Sequence, residues 1–161
     1  MITGQKDYVT PKMGLVIKYN GEFDLKNMYN SAKEFLIKNK YILNEKEYKE
    51  KSSSIGKEFN LVLDAERKID DYVSFNINLH FLIIKAEKKE GKYNGNIQIR
   101  LSAYVLLDRK NKFQISSFKS FLFFFYNNFI IKNKIENVYE DKLFSEVSEL
   151  SNMLKKYLKM N

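Results

Sequence analysis

The chain has 161 residues, 44% of them hydrophobic and 15% aromatic, and carries a formal charge of +8 at pH 7. That length favours a single domain, and that apolar content excludes an intrinsically disordered chain. The absence of cysteine excludes disulfides, zinc fingers and thiol catalysis.

Residues 1–12 are polar, contain the one proline, Pro11, and read as an extended lead-in to a domain over 13–161. They hold no apolar core of signal-peptide type. With no cysteine and no Asn-x-Ser/Thr sequon, they give the expectation of an intracellular, cytoplasmic protein. In 13–19 the apolar positions Met13, Leu15, Ile17 and Tyr19 alternate, which predicts a short strand, and Asn20-Gly21 is a turn signal.

A helix is expected over 24–38. Asp24 suits its N-cap, and Leu25, Met28, Tyr29, Ala32, Phe35 and Leu36 recur at three- and four-residue spacing. Asn39 suits the C-cap, with Lys38 and Lys40 near the negative end of the helix dipole. Residues 41–51, YILNEKEYKEK, read as a heavily charged edge strand, followed by a loop at 52–56.

Three long antiparallel strands come next, as a meander. Phe59, Leu61, Leu63 and Ala65 alternate with polar residues in the first. Val73, Phe75, Ile77, Leu79, Phe81 and Ile83 do so in the second. Ile97, Ile99, Leu101, Ala103, Val105 and Leu107 do so in the third, and turns are expected at 68–71 and 85–95. Residues 108–112 end the sheet, and Ser116 or Ser117 can cap the segment that begins at Phe118.

Residues 118–131, FKSFLFFFYNNFII, form the most apolar run and are too short to span a bilayer, which takes roughly 20 apolar residues. Three readings stand: a buried helix against the sheet, a buried strand with a turn, or an exposed anchor presenting Phe121, Phe124 and Phe125 to a membrane or another chain. Ile135, Val138, Tyr139, Leu143, Val147, Leu150, Leu154 and Leu158 then mark an amphipathic C-terminal helix.

The catalytic inventory is thin. His80 is the sole histidine, and no Gly-rich phosphate loop, zinc helix, calcium loop or nucleophile elbow occurs. Metal sites built from several histidines or cysteines are impossible and only an oxygen-ligand site could be made; no metal and no cofactor is expected. Asp64 and Glu66 share a strand face, where charged pairs are normally solvated.

The sharper feature is the polar face of the meander. Symmetric turns place facing residues at numbers summing to about 138 in the first hairpin and about 180 in the second, and this preserves the parity of all three strands. His80 then lies near Glu58 and Arg100, Asn78 near Asn60 and Ser102, and Asn76 near Val62 and Tyr104. With Gln98 these residues form a candidate binding band, set against the plain alternative of one solvated sheet side. Aromatics do not lie on this face in the pattern of an RNA-recognition sheet.

The fold class is α+β: a strand, a helix, a β-meander bringing the sheet to about four or five strands, and C-terminal helices packed on its apolar face. The order strand–helix–meander–long helix resembles the helix-grip layout, an analogy of element order alone. The leading functional expectation is a non-catalytic interaction or structural module binding a macromolecular partner, either another protein or a second copy. A carrier of an apolar small molecule and a basic RNA- or ribosome-associated protein are the alternatives. The positive charge is mostly lysine, with Arg67, Arg100 and Arg109 the three arginines, and lysine is the weaker choice for bidentate nucleic-acid contacts.

Overall fold

The computed structural model describes residues 5–108 and 117–160. Residues 1–4 of the lead-in, 109–112 of the expected sheet terminus and the cap Ser116 lie outside the described residues. A six-stranded antiparallel sheet is covered on one face by helices. Its strands are β1 (Lys6–Tyr8), β2 (Leu15–Phe23), β3 (Ile42–Ser53), β4 (Gly56–Lys68), β5 (Val73–Lys89) and β6 (Lys92–Leu107). The order is β1-β6-β5-β4-β3, and β2 shares the outer edge of β6 with β1. Part of the lead-in thus joins the sheet, with Lys6 opposite Leu106 and Tyr8 opposite Tyr104.

The inner face follows the expected parity. Every odd position of β5 from Val73 to Ile83 is buried, as is every odd position of β6 from Ile97 to Leu107. Removing this apolar surface from water is the main force holding the sheet to its helices.

Helix α1 (Leu25–Lys38) packs there through Leu25, Met28, Tyr29, Ala32 and Leu36. Asp24 caps it, accepting from the Asn27 backbone N–H at 3.0 Å. At its other end Lys40 takes a left-handed φ of 65°. Tyr41 N–H reaches Leu36 C=O and Lys40 N–H reaches Ile37 C=O. This is a Schellman closure made with lysine in place of the usual glycine.

The C-terminal region is mostly helical in its described part, with a bend at Ile131. It comprises α2 (Ser117–Phe125), a π-helical stretch Tyr126–Ile130, α3 (Lys132–Lys134), a second π-helical stretch Ile135–Glu140 and α4 (Asp141–Tyr157). Leu143, Val147, Leu150 and Leu154 of α4 and Leu158 after it are fully buried. The hydroxyls of Tyr157 and Ser31 meet at 2.5 Å between α4 and α1.

Several expectations are corrected. Asn20-Gly21 makes no turn: β2 runs through both residues, opposite Asn96 and Gly95. Met13 is exposed and does not join the core. The 52–56 loop shrinks to Ser54-Ile55, because β3 and β4 pair as far as Ser53 and Gly56. The 85–95 turn shrinks to Glu90-Gly91, both at positive φ, as a two-residue hairpin turn between right-twisted strands requires. Val138 is exposed, since the π-helical stretch rotates the stripe there.

A bulge between Ile84 and Glu87 interrupts the long β5–β6 hairpin. Lys85 adopts φ 53° and Ala86, an even position, turns into the core. Beside it the β4 and β6 backbones come very close. A Cβ on Gly95 would lie 2.8 Å from Ala86 Cα, and one on Gly56 would lie 3.0 Å from the Lys85 carbonyl carbon.

Candidate functional site

All nine residues of the polar band lie on the outer face, half-buried: Glu58 and Asn60 on β4, Asn76, Asn78 and His80 on β5, and Gln98, Arg100, Ser102 and Tyr104 on β6. The β5–β6 pairing is the expected one, with His80 opposite Arg100, Asn78 opposite Ser102 and Asn76 opposite Tyr104.

The β4–β5 pairing is displaced. His80 faces Val62 where Glu58 was expected, Asn78 faces Asp64 and Asn76 faces Glu66. The cause is the turn. Asp70 Oδ1 accepts from the N–H groups of Tyr72 and Val73, both at 2.7 Å. That Asx-type arrangement moves the centre of the hairpin towards Asp71. A turn placed by symmetry about 69 cannot anticipate it.

The band's amides bond to His80 and to flanking polar side chains, while Arg100 Nε is buried without a hydrogen-bond partner among the described residues. Asn60 Nδ2 donates to Glu47 Oε2 at 2.7 Å, and its Oδ1 faces His80 Nε2 at 2.5 Å. A carboxylate only accepts, so this amide orientation places the imidazole proton on Nε2. Burial first, and the Arg100 guanidinium second, hold the His80 pKa below its usual value of 6.5. The ring is therefore neutral at pH 7.

Asn78 donates to Asp64 at 2.6 Å, and Asn76 to the Ser74 hydroxyl at 3.0 Å. Tyr104 packs against the Tyr8 ring at 5.3 Å, with the Lys6 ammonium 4.6 Å from its centroid. Beside them a hollow of about 300 Å³ opens, lined by Asn44, Asp64, Glu66, Asn76, Asn78 and Tyr104 among others.

Chemically, the chain Glu47–Asn60–His80 interposes an amide between carboxylate and imidazole. The amide keeps the carboxylate from contacting the ring and orienting it as a general base. Among the described residues no group of three His, Asp or Glu side chains is placed to hold a metal ion.

The second candidate surface is the aromatic segment, whose leading expectation as a buried helix is overturned. It is helical, but Phe118, Phe121, Phe125 and Phe129 expose 71%, 61%, 45% and 70% of their surface. Leu122, Phe124, Tyr126 and Ile130 are exposed too. Phe121, Phe125 and Phe129 stack in a ladder, with centroids 6.5 and 5.0 Å apart. Tyr126 meets Tyr72 edge-on at 5.7 Å and ties the segment to the body. Sheet and α4 fill the core between them, so the apolar stripe of α2 turns outward.

One polar cluster has no counterpart among the sequence expectations. Arg67, at an odd position of β4, forms a two-pronged ion pair with Glu146 of α4, and both side chains are 12% exposed. Arg67 also donates to Asn39 C=O at 2.7 Å, and Tyr41 O–H donates to Glu146 Oε2 at 2.7 Å. Burial first, and the Glu146 hydrogen bond second, push the Tyr41 pKa far up. The available signal was parity: Arg67 continues the inward series Phe59, Leu61, Leu63, Ala65.

Comparison with protein-family models, with curated protein sequences and with solved structures finds no match to this chain. Among the described residues no helix is long and apolar enough to cross a membrane.

Proposed function

We propose that this protein is a non-catalytic interaction module whose contact surface is the aromatic face over 118–130, carried on a rigid α+β body. The observation that supports this reading is the exposure of Phe118, Phe121, Phe125 and Phe129 as one helical stripe. Contiguous exposed apolar surface of this kind is characteristic of protein- or membrane-binding sites. The polar band stands as a secondary surface, since Asn60 and Asn78 already bond to the flanking carboxylates of Glu47 and Asp64.

The test is a pull-down from native cell extract, with and without nuclease, comparing wild type with Phe121→Ser/Phe125→Ser/Phe129→Ser. A nuclease-resistant partner retained by wild type and lost by the variant supports the reading. Equal retention by both proteins overturns it.

A small-molecule carrier is the second reading. A cleft of about 420 Å³ lies between α1 and the inner sheet face, lined by Tyr29, Tyr48, Phe59, Leu61 and Tyr93 among others. Lys26, Lys33, Glu45 and Glu50 share the lining with these rings, so the cleft suits a compact ligand with an apolar body and a polar end. Burial, then Glu45 and Tyr48, push the Tyr29 pKa up to about 12. The Tyr29 hydroxyl itself is buried. Calorimetric titration with a naphthalene-type probe, lost on Tyr48→Ala, would support this reading.

Nucleic-acid binding ranks below both. Lys33, Lys46, Lys49, Lys57 and Lys92 of α1 and the sheet pair with carboxylates, which partly neutralises the positive charge of that part of the fold.

A further inference from the structure

We propose that the aromatic segment docks in the plane of an anionic lipid bilayer, with its axis along the surface and its phenylalanines in the headgroup–acyl boundary. This inference rests on the preceding reading of the segment as the contact surface, and it names the partner.

Three observations favour a bilayer over a protein groove. The first is how far the apolar surface extends round the helix. Phe118, Phe121, Leu122, Phe125 and Phe129 make one stripe, while Phe124 and Ile130 lie to either side of it, and all are exposed. A partner helix covers a single stripe, whereas the boundary region of a bilayer covers a helix from below and from both flanks.

The second observation is length. Nine α-helical residues followed by five π-helical ones extend roughly 20 Å, short of the roughly 30 Å hydrocarbon core. Such a segment lies on the membrane and does not cross it.

The third observation is charge. The one charged side chain inside the segment is Lys119, the chain beyond it continues with Lys134 and with Lys132, whose exposed pairing with Glu136 is a loose 3.8 Å, and the whole protein carries +8. Lysines at the edge of an apolar surface face anionic headgroups while phenylalanines enter beneath them. The Tyr126–Tyr72 contact holds the segment against the body, so insertion needs no unfolding of the sheet.

The probe is flotation of the full chain with vesicles of phosphatidylcholine alone and of phosphatidylcholine with about 30% phosphatidylglycerol, at low salt. Wild type is expected to float with the anionic vesicles and much less with the neutral ones, and added salt should weaken the binding. Phe121→Ser/Phe125→Ser/Phe129→Ser should lower the bound fraction about tenfold or more. Lys132→Gln/Lys134→Gln should lower it about fivefold per lysine.

Because the chain contains no tryptophan, Phe125→Trp gives a clean reporter whose emission should shift to the blue on adding anionic vesicles. No flotation, flotation unchanged by the triple substitution, or an unshifted reporter overturns the proposal. So does a protein that sediments as a dimer without lipid and as a monomer once the phenylalanines are removed. That last outcome assigns the face to a second copy and leaves the interaction module standing. If wild type and triple variant match in flotation, sedimentation and pull-down alike, both readings fall.

Discussion

Arg67 of β4 grips Glu146 of α4 through Nη2, at 2.8 Å to one carboxylate oxygen and 3.1 Å to the other. The guanidinium also lies 4.7 Å from the Tyr41 ring centroid and 5.0 Å from that of Phe75. The pair therefore joins the C-terminal helix to the sheet and to the end of α1. Breaking a buried pair by removing one partner leaves the other charge stranded. Glu146→Ala should cost about 3–5 kcal/mol, and Tyr41→Phe, which removes one hydrogen bond, about 1 kcal/mol. Urea denaturation of the two variants and their double mutant measures both costs and their coupling.

The single histidine makes a direct pH test. The folded state favours neutral His80, so its stabilising contribution is present above pH 6.5 and lost as pH falls through the lower folded-state value. Proton NMR should show one imidazole titrating below 6.5, and His80→Gln should remove the corresponding slope from the melting temperature. Glu140 runs the opposite way. Burial, and then Asp7, raise its pKa above the ordinary 4.5, so its contribution is present below that pH and lost as pH rises through the folded value.

Gly95→Ala places a methyl against the β5 backbone at the bulge, where Lys85 C=O and Ala86 Cα would each be 2.8 Å away. Backbone on both sides leaves no flexible side chain to yield. The variant should lose at least about 1–3 kcal/mol, the usual range for overpacking, with most of the disturbance in amide shifts around 84–87.

Core and aromatic surface should respond in opposite ways to truncation. Leu79→Ala, inside the fully buried face of β5, should cost about 2–5 kcal/mol. Phe121→Ser, on an exposed helix face, should stay within about 0.5 kcal/mol of wild type. A large loss from Phe121→Ser in thermal denaturation would mean that this side chain is structural and not a contact surface.

Alternation made the inner face legible in the sequence. The odd positions of β4, β5 and β6 are apolar because one face of an antiparallel sheet meets the helices. Helix α1 was legible through Asp24 and its three- and four-residue spacing. The polar band was half legible. Its β5–β6 partners follow from a near-symmetric hairpin, whereas the β4–β5 partners depend on where the Asp70 carboxylate accepts its backbone N–H groups. The outward turn of α2 was not legible, because apolar periodicity reports a helix's stripe and not what covers it. Asn20-Gly21 misled for a related reason: its turn propensity yields to nine residues of pairing between β2 and β6.

The close approach of Gly56, the Lys85–Ala86 bulge and Gly95 has one more implication. Gly21 pairs with Gly95, so three of the chain's six glycines fall on a single line across the sheet. Along that crease a Cβ would meet the β5 backbone at 56 and 95 and the Tyr19 ring at 21, so the absence of a side chain at these three positions sets the bend. The surrounding apolar residues can drift among shapes of similar volume while the curvature is inherited intact. A distant relative of this chain should therefore betray itself less by its leucines and phenylalanines than by small residues aligned with 21, 56 and 95.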